Sequence, residues 1–270
     1  MKEIFKLSLE TIRKKGILDL RIVIVNVSRS LSESIKNFLT NFFVILLRHR
    51  FLNKFQKLID CTVGTEEIVD LVFSFSQFGI SIRPSQVREE IIKLLELVNS
   101  LNPKVIIEIG TFRGGTLFLF TRVADPNATI ISVDLAGGRF GGGYPKWRIP
   151  LYGSFTRDKQ RLHLIRADSH DINTYKEILR VLGDCKVDLL FIDGDHRYEG
   201  VKTDFNIYSP LVKEGGMIAF HDIVPHDRVH NPLGTVGVPR FWNEIKYNYK
   251  HLEIVEDWGQ GWAGIGVLYI

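Results

Sequence analysis

One stretch decides the fold: residues 105–116 read Val-Ile-Ile-Glu-Ile-Gly-Thr-Phe-Arg-Gly-Gly-Thr. A run of β-branched residues, which favours a buried strand, reaches Glu108 and leads through a glycine-containing turn into a helix over 116–124. Open α/β sheets bind ligands at such strand-to-helix turns. Glycine is needed there because the backbone must approach a cofactor without a Cβ in the way. The stretch therefore predicts a cofactor-binding α/β domain.

Strands and helices alternate on both sides of this turn. Strands are predicted over 105–109, 129–134, 162–167, 187–193 and 217–221. One helix is opened by Pro84-Ser85 and stopped by Asn102-Pro103, and further helices are predicted near 116–124, 172–182, 199–212 and 239–248. This alternation predicts a Rossmann-like, doubly wound and largely parallel sheet. The last two strands, His251–Glu256 and Ala263–Ile270, have a connection too short for a parallel crossover. They should form an antiparallel hairpin.

The first 60 residues differ from the remainder in charge. They hold 12 Lys/Arg and 5 Asp/Glu, while the whole chain has a net charge of +4. Apolar residues recur at helical spacing over 31–46 and precede the basic group Arg48-His49-Arg50. This pattern predicts an amphipathic helix, packed on the domain or on a second subunit, or lying on a membrane surface beside anionic lipid. Peripheral membrane contact through residues 31–50 is thus one hypothesis.

Bulk properties exclude several classes of protein. No stretch is long enough to span a bilayer, and the start lacks the apolar region of a secretory signal. Two cysteines, Cys61 and Cys185, make neither a disulfide framework nor a zinc motif, which fits a reducing, cytoplasmic location. Nothing predicts a basic, aromatic-bearing surface on the main domain, so nucleic acid is not an expected partner.

Charged residues end two adjacent buried strands. The first strand runs into Asp193-Gly194-Asp195-His196, and the second into His221-Asp222. Charged groups do not end buried strands without partners, and the fold brings Asp193 beside His221 and Asp222. Carboxylates suit a hard divalent cation, so we predict a metal site of these three residues with Mg²⁺ as the expected ion. A metal-free arrangement, with His196 or His221 as a base, is the alternative.

The glycine turn and the closing hairpin resemble those of class I S-adenosylmethionine (SAM)-dependent methyltransferases. The form E-x-G-x-x-x-G over 108–114 is similar to the subgroup of catechol O-methyltransferase, the cephalosporin-hydroxylase-named proteins and the macrolide and sugar O-methyltransferases. The common class I pattern has a third glycine where Phe112 stands. The resemblance implies that SAM is held by Glu108, Gly110, Thr111, Gly114, Thr116, Asp134, Asp168, Ser169, His170 and Asp193.

Individual roles follow from the same resemblance. Glu108 would orient the turn or the cofactor's amino group, and Asp168 or Ser169 would bond the adenine edge. Asp134, at the end of a strand, would accept hydrogen bonds from the ribose hydroxyls, as a carboxylate does in dinucleotide-binding folds. The same sequence pattern is also consistent with a solvated carboxylate that has no cofactor role. Asp168 and Ser169 could equally begin a helix.

The expected function is methyl transfer from SAM to a hydroxyl of a small metabolite or a sugar. The cation would lower the pKa of that hydroxyl, and Asp195 or His196 would take its proton. We assign residues 1–80 to a mainly helical extension and 81–270 to the methyltransferase domain, and expect a homo-oligomer. A nicotinamide oxidoreductase and a non-catalytic scaffold or membrane-surface protein are the alternatives. The loop over 136–160 is long enough to form a lid or a wall of the acceptor site. Its aromatic residues Phe140, Tyr144 and Trp147 would either pack on the acceptor or pin the loop to the domain.

Overall fold

The computed structural model describes residues 64–77, 80–137 and 143–270. All of them belong to one compact unit, Lys54–Ile270. The predicted helix over 31–46, the basic group that follows it, Cys61 and Phe140 lie outside the described residues. Within the described ranges, no helix is both long and apolar enough to cross a membrane.

Helices and strands alternate along most of the unit. The helices are α1 (Thr65–Ser74), α2 (Arg88–Leu101), α3 (Gly115–Val123), α4 (Ile149–Gly153), α5 (Ile172–Leu182), α6 (Tyr198–Tyr208) and α7 (Val238–Ile245). The strands are β1 (Ser76–Gln77), β2 (Ile80–Ser81), β3 (Val105–Ile109), β4 (Thr129–Val133), β5 (Arg161–Ile165), β6 (Val187–Ile192), β7 (Val212–His221), β8 (Lys250–Ile254) and β9 (Ile265–Tyr269). Short 3₁₀ turns precede α4 and follow α6 and α7.

The main sheet has seven strands in the order β5-β4-β3-β6-β7-β9-β8. The first five strands of this order, β5, β4, β3, β6 and β7, are parallel, whereas β9 runs antiparallel to both β7 and β8. The predicted doubly wound sheet with a closing antiparallel hairpin is therefore confirmed. Since β9 lies between β7 and β8, the hairpin completes one side of the sheet.

The centre of the sheet is covered on both faces. Every residue of β3, β4 and β6 is buried, as expected of parallel strands with helices on each side. A charged residue within β6 is partnered: the Asp188 carboxylate accepts hydrogen bonds from the N–H groups of Lys104 and Val105, at 2.8 and 2.7 Å, and pairs with Lys213. These contacts fix the starts of β3 and β6 relative to one another.

Helix α2 is contacted both by α1 and by the loop that joins β8 to β9. Helix α1 packs against α2 and α3, so this part of the predicted extension touches the α/β domain. The buried Glu90 of α2 accepts hydrogen bonds from the N–H groups of Glu256 and Gly264, at 3.2 and 2.9 Å, in the loop that joins β8 to β9. The boundary at residue 80 stays a prediction.

Candidate active site

The turn after β3 has the conformation that the glycine pattern predicts. Gly110 and Gly114 have φ angles of +91° and +83°, in the region that glycine adopts without strain. A Cβ built on Gly110 would lie 1.9 Å from the carbonyl oxygen of Asp193, and one on Gly114 would lie 2.5 Å from the ring of Tyr152. The turn is thus packed tightly against the end of β6, and neither position has room for a side chain.

Phe112, within the same turn, also has a positive φ. Its φ is +47°, which costs a non-glycine residue energy. Two hydrogen bonds hold it: its N–H donates to Asp134 Oδ2 at 2.9 Å, and its carbonyl accepts from the Tyr152 hydroxyl at 2.8 Å. Asp134 therefore meets the glycine turn from the end of β4. Burial raises the pKa of Asp134, and the Phe112 N–H works against that rise.

Glu108 is buried in the centre of the sheet beneath the turn. Its Oε1 accepts a hydrogen bond of 2.6 Å from Thr116, while its Oε2 is buried without a hydrogen-bond partner among the described residues. Burial raises the pKa of Glu108 to about 8. Thr111 bonds the hydroxyl of Ser132 in β4. Thr111 and Thr116 thus act within the turn, and an orphan carboxylate oxygen lies below it.

The residues after β5 form a second polar group. Asp168 is exposed and accepts from the N–H of His170 at 2.9 Å, while the carbonyl of Ser169 accepts from the Tyr208 hydroxyl at 2.5 Å. His170 Nε2 lies 3.2 Å from Oδ1 of Asp204, a fully buried carboxylate of α6. Asp204 raises the pKa of His170, and burial raises that of Asp204. Asp171, rather than Asp168, caps α5.

The tips of β6 and β7 bring together the predicted cation residues. Nδ1 of His221 lies 3.1 Å from Asp193 Oδ1 and 3.2 Å from Asp222 Oδ1. His196 joins them, with Nδ1 against Asp222 Oδ2 and Nε2 3.7 Å from Asp193 Oδ1. Asp193, His196 and Asp222 each offer a ligand atom within 4.8 Å of the others. His196, predicted as a base, is thus also a candidate ligand.

Charge pairing dominates this cluster. Burial alone would lower the pKa of His221, but Asp222 and Asp193 outweigh it and hold the pKa well above its usual value. Burial would also lower the pKa of His196, but Asp222 outweighs this effect and raises that pKa. Burial would raise the pKa of Asp222, yet the two imidazoles keep it well below the ordinary range. Asp222 also has a φ of +67°, a strained conformation that is common at functional sites.

Two residues of the cluster were not predicted. His226, four residues after Asp222, places Nε2 3.0 Å from Asp222 Oδ1 with only 6% of its side chain exposed. Gln86, just before α2, donates from Nε2 to Asp193 Oδ2 at 2.9 Å. Both come from segments without a repeating pattern, so periodicity could not reveal them. A histidine close behind a His-Asp strand tip was the available signal for His226.

Asp195 sits beside the cluster but is engaged elsewhere. Its Oδ1 accepts from the N–H and Nε of Arg197, at 3.0 and 2.9 Å. Burial would raise the pKa of Asp195, and Arg197 more than offsets that effect, so the pKa is lowered. A narrow pocket runs past this point, lined by Asp193, Asp195, His196, His221 and four apolar or glycine residues, Ile192, Gly194, Val201 and Val238.

Tyr144 is an aromatic anchor of the long loop. Tyr144 is 2% exposed, and its ring meets that of Tyr152 edge-on at 4.8 Å between centroids. The guanidinium of Arg166 lies over the same ring and donates to the Tyr144 carbonyl at 3.0 Å. Trp147 is partly exposed and has Arg148 over its ring. Tyr144 therefore pins the loop to the domain, which is one of the two predicted roles.

Fold and site define a doubly wound α/β domain whose glycine turn abuts a cluster of carboxylates and imidazoles at the strand tips. Residues 107–223 match the family model described as a methyltransferase domain. The match runs from within β3 to just past the tip of β7, which is less than half of the chain, and the sheet has the order of a Rossmann-like methyltransferase fold.

Known proteins similar to the chain include two from curated sequences and one solved structure. Protein y4gI of Sinorhizobium fredii (strain NBRC 101917 / NGR234) is 30% identical over 155 residues, which cover 55% of this chain and 16% of that protein. Protein R132 of Acanthamoeba polyphaga mimivirus is 34% identical over 126 residues, 43% of this chain and 50% of that protein. The chain thus spans half or less of the length of these relatives.

The solved structure is an O-methyltransferase from Bacillus cereus in complex with S-adenosylhomocysteine (SAH). It is 16% identical to this chain, and the two structures superpose with a TM-score of 0.51. The match covers 80% of this chain and 96% of the Bacillus cereus protein chain. At this identity the likeness concerns the fold.

Proposed function

We propose that the protein transfers a methyl group from SAM to a hydroxyl oxygen of a small metabolite or a sugar, with a divalent cation held at the strand tips. One observation carries the proposal: the glycine turn touches the backbone of Asp193, whose side chain belongs to the cation cluster. A donor methyl held by the turn and an acceptor oxygen held by the cluster would then be neighbours, which is the arrangement that methyl transfer needs.

The residues around the turn fit SAM. Gly110 and Gly114 give the turn its positive φ angles, Asp134 stands at the end of β4, and the buried Glu108 has one oxygen without a hydrogen-bond partner among the described residues. The residues after β5 lie at the same edge of the sheet, where adenine would be met by Asp168, Ser169 and His170. SAM supplies the methyl group when it is bound.

The strand tips fit a divalent cation. Asp193 and Asp222 provide carboxylate oxygens and His196 an imidazole nitrogen, all within 4.8 Å of one another. A bound cation would lower the pKa of the acceptor hydroxyl and fix its oxygen. Asp195 lines the same pocket and is the candidate proton acceptor beside a bound cation, although Arg197 engages it; in the metal-free arrangement His196 would take that proton. Gln86 orients Asp193 by donating to its second oxygen.

Isothermal titration of the purified full chain with SAH, with and without a divalent cation, tests this function. We expect micromolar binding of SAH, and then methylation of hydroxylated acceptors in a screen with labelled SAM. A folded protein that does not bind SAH would contradict the proposal and favour a non-catalytic scaffold. Binding of a nicotinamide dinucleotide instead of SAH would favour an oxidoreductase.

A further inference from the structure

The cluster at the tips of β6 and β7 contains more imidazoles than carboxylates. Around Asp193 and Asp222 stand His196, His221 and His226, and each of the three histidines has a ring nitrogen within 3.2 Å of a carboxylate oxygen of Asp222. The side chains of His221 and His226 are 3% and 6% exposed. Three imidazoles around two carboxylates are more nitrogen than a Mg²⁺ site uses, since Mg²⁺ takes oxygen ligands and keeps several waters.

Distances within the cluster are close to those between ligands of one ion. Ligand atoms about 2.1 Å from an ion lie about 3.0 Å apart at right angles and about 4.2 Å apart on opposite sides. The ligand atoms of Asp193, His196 and Asp222 lie within 4.8 Å of one another. Nδ1 of His221 stands at 3.1 and 3.2 Å from the two carboxylates, where it can hold both of them in place.

Buried nitrogens with unused bonding capacity point to a missing group. Nε2 of His221 and both ring nitrogens of His226 are buried and complete no hydrogen bond among the described residues. The contact of His226 Nε2 with Asp222 Oδ1 is 3.0 Å long but lacks hydrogen-bond alignment. A buried polar atom without a partner is costly, so the cluster is incomplete as a network of ion pairs alone.

We propose that this site selects a first-row transition-metal ion over Mg²⁺, with Asp193, His196 and Asp222 as ligands and with His221 and His226 as positioning residues for the carboxylates. Imidazole donors favour such ions, and affinity rises from Mn²⁺ towards Co²⁺ and Ni²⁺. The proposal rests on the cation of the proposed function, names its class, and differs from the expectation of Mg²⁺. It assigns His196 to the ion rather than to proton transfer.

The test is metal binding by the full chain, stripped of metal and measured without acceptor. Titration with Co²⁺ is followed by visible absorption and titration with Mn²⁺ by electron paramagnetic resonance, each repeated with Mg²⁺ as competitor. We expect Co²⁺ to bind at least about a hundredfold more tightly than Mg²⁺. Mg²⁺ affinity within tenfold of that of Co²⁺, or no binding of any of the three ions, would overturn the proposal.

Two histidine variants and one matched control locate the site. His196→Gln should change the Co²⁺ spectrum, because a nitrogen ligand is lost. His226→Gln should keep the spectrum and weaken Co²⁺ binding by about 10- to 100-fold, as loss of a group that orients a ligand does. His230→Gln, four residues further on at a half-exposed position, should leave affinity and spectrum unchanged. An unchanged spectrum in His196→Gln, or unchanged affinity in His226→Gln, would contradict the assignments.

SAH titration of the same samples separates this inference from the proposed function. If SAH binds but Co²⁺ has no advantage over Mg²⁺, the transition-metal inference fails and methyl transfer stands. If Co²⁺ binds selectively but SAH does not bind, the metal site stands and the proposed function fails.

Discussion

Gly110 and Asp193 directly follow two neighbouring strands, β3 and β6, and are in direct backbone contact. A Cβ at Gly110 would lie 1.9 Å from the carbonyl oxygen of Asp193 and 2.9 Å from the nitrogen of Gly194. The turn proposed to hold the cofactor is therefore in van der Waals contact with the residue proposed to hold the cation. A change in either should be felt by the other.

Gly110→Ala should weaken both the stability of the fold and the binding of the cofactor. The methyl group meets backbone atoms that cannot move away, and a φ of +91° is strained for alanine, by roughly 1–2 kcal/mol before the collision is counted. We expect a lower midpoint of urea unfolding and at least about tenfold weaker binding of SAH. Gly153→Ala is the control, because its Cβ would meet nothing within 4 Å. Equal stability of the two variants would contradict the tight contact.

Asp193→Asn should separate the two ligands. The amide keeps an oxygen for Gln86 Nε2, which donates at 2.9 Å, but removes the negative charge from the cation cluster. We expect divalent-cation binding to weaken by about 10-fold or more, as when a buried charged partner is lost, while SAH affinity stays within about twofold. Both are measured by isothermal titration. Loss of SAH binding by a correctly folded Asp193→Asn protein would place Asp193 in the cofactor site instead.

Glu108 should make stability depend on pH. Its pKa is about 8 in the folded protein against 4.5 for a free side chain, so the folded state holds this proton more firmly than the unfolded state. The stability that this proton provides is full below pH 4.5 and is lost as pH rises towards 8, at about 1.4 kcal/mol for each unit of pKa difference. Urea unfolding from pH 5 to 8.5 measures the slope.

Glu108→Gln should remove the Glu108 part of that slope, because the amide does not titrate. The exposed Glu177 of α5 is the matched position, and Glu177→Gln should retain the slope. A Glu108→Gln protein whose stability follows pH as the parent does would show that this carboxyl is not the titrating group.

His170 and Asp204 should titrate as a pair. Asp204 Oδ1 lies 3.2 Å from His170 Nε2 and raises the pKa of that imidazole. The stabilisation is present at pH below 6.5 and is lost as pH rises through the folded pKa of His170. Asp204→Asn should therefore shift the His170 titration, followed by NMR, towards lower pH. A titration that does not move would mean that another group sets this pKa; His163, on β5, gives the internal reference.

The sheet was predictable because its signals are local. Fully buried runs such as Ile106–Ile109 and Val187–Ile192 give parallel strands, and the α5 bounds were predicted without error since an apolar stripe and a capping Asp171 mark them. The start of β7 was not predicted. Gly215 and Gly216 indicate a turn, yet β7 begins at Val212 because Val212 pairs with Val187 ahead of a bulge.

The site was predictable in its location and less so in its contacts. Parallel strands end at one edge, so Asp193, His221 and Asp222 had to meet. The bond of Asp195 to Arg197 depends on how the chain enters α6, and the approach of Gln86 spans 107 positions in the sequence. No local pattern encodes such contacts between loops, since they follow from the packing of elements that are distant in sequence.

The position of β9 governs when the sheet can close. It lies between β7 and β8 but follows both of them in the chain. During synthesis, β7 emerges from the ribosome with its outer hydrogen-bonding edge bare, and β8 has nothing to pair with until β9 has been made. The nascent domain must therefore carry an open strand edge, the feature that most readily recruits a neighbouring chain, until translation has passed residue 269.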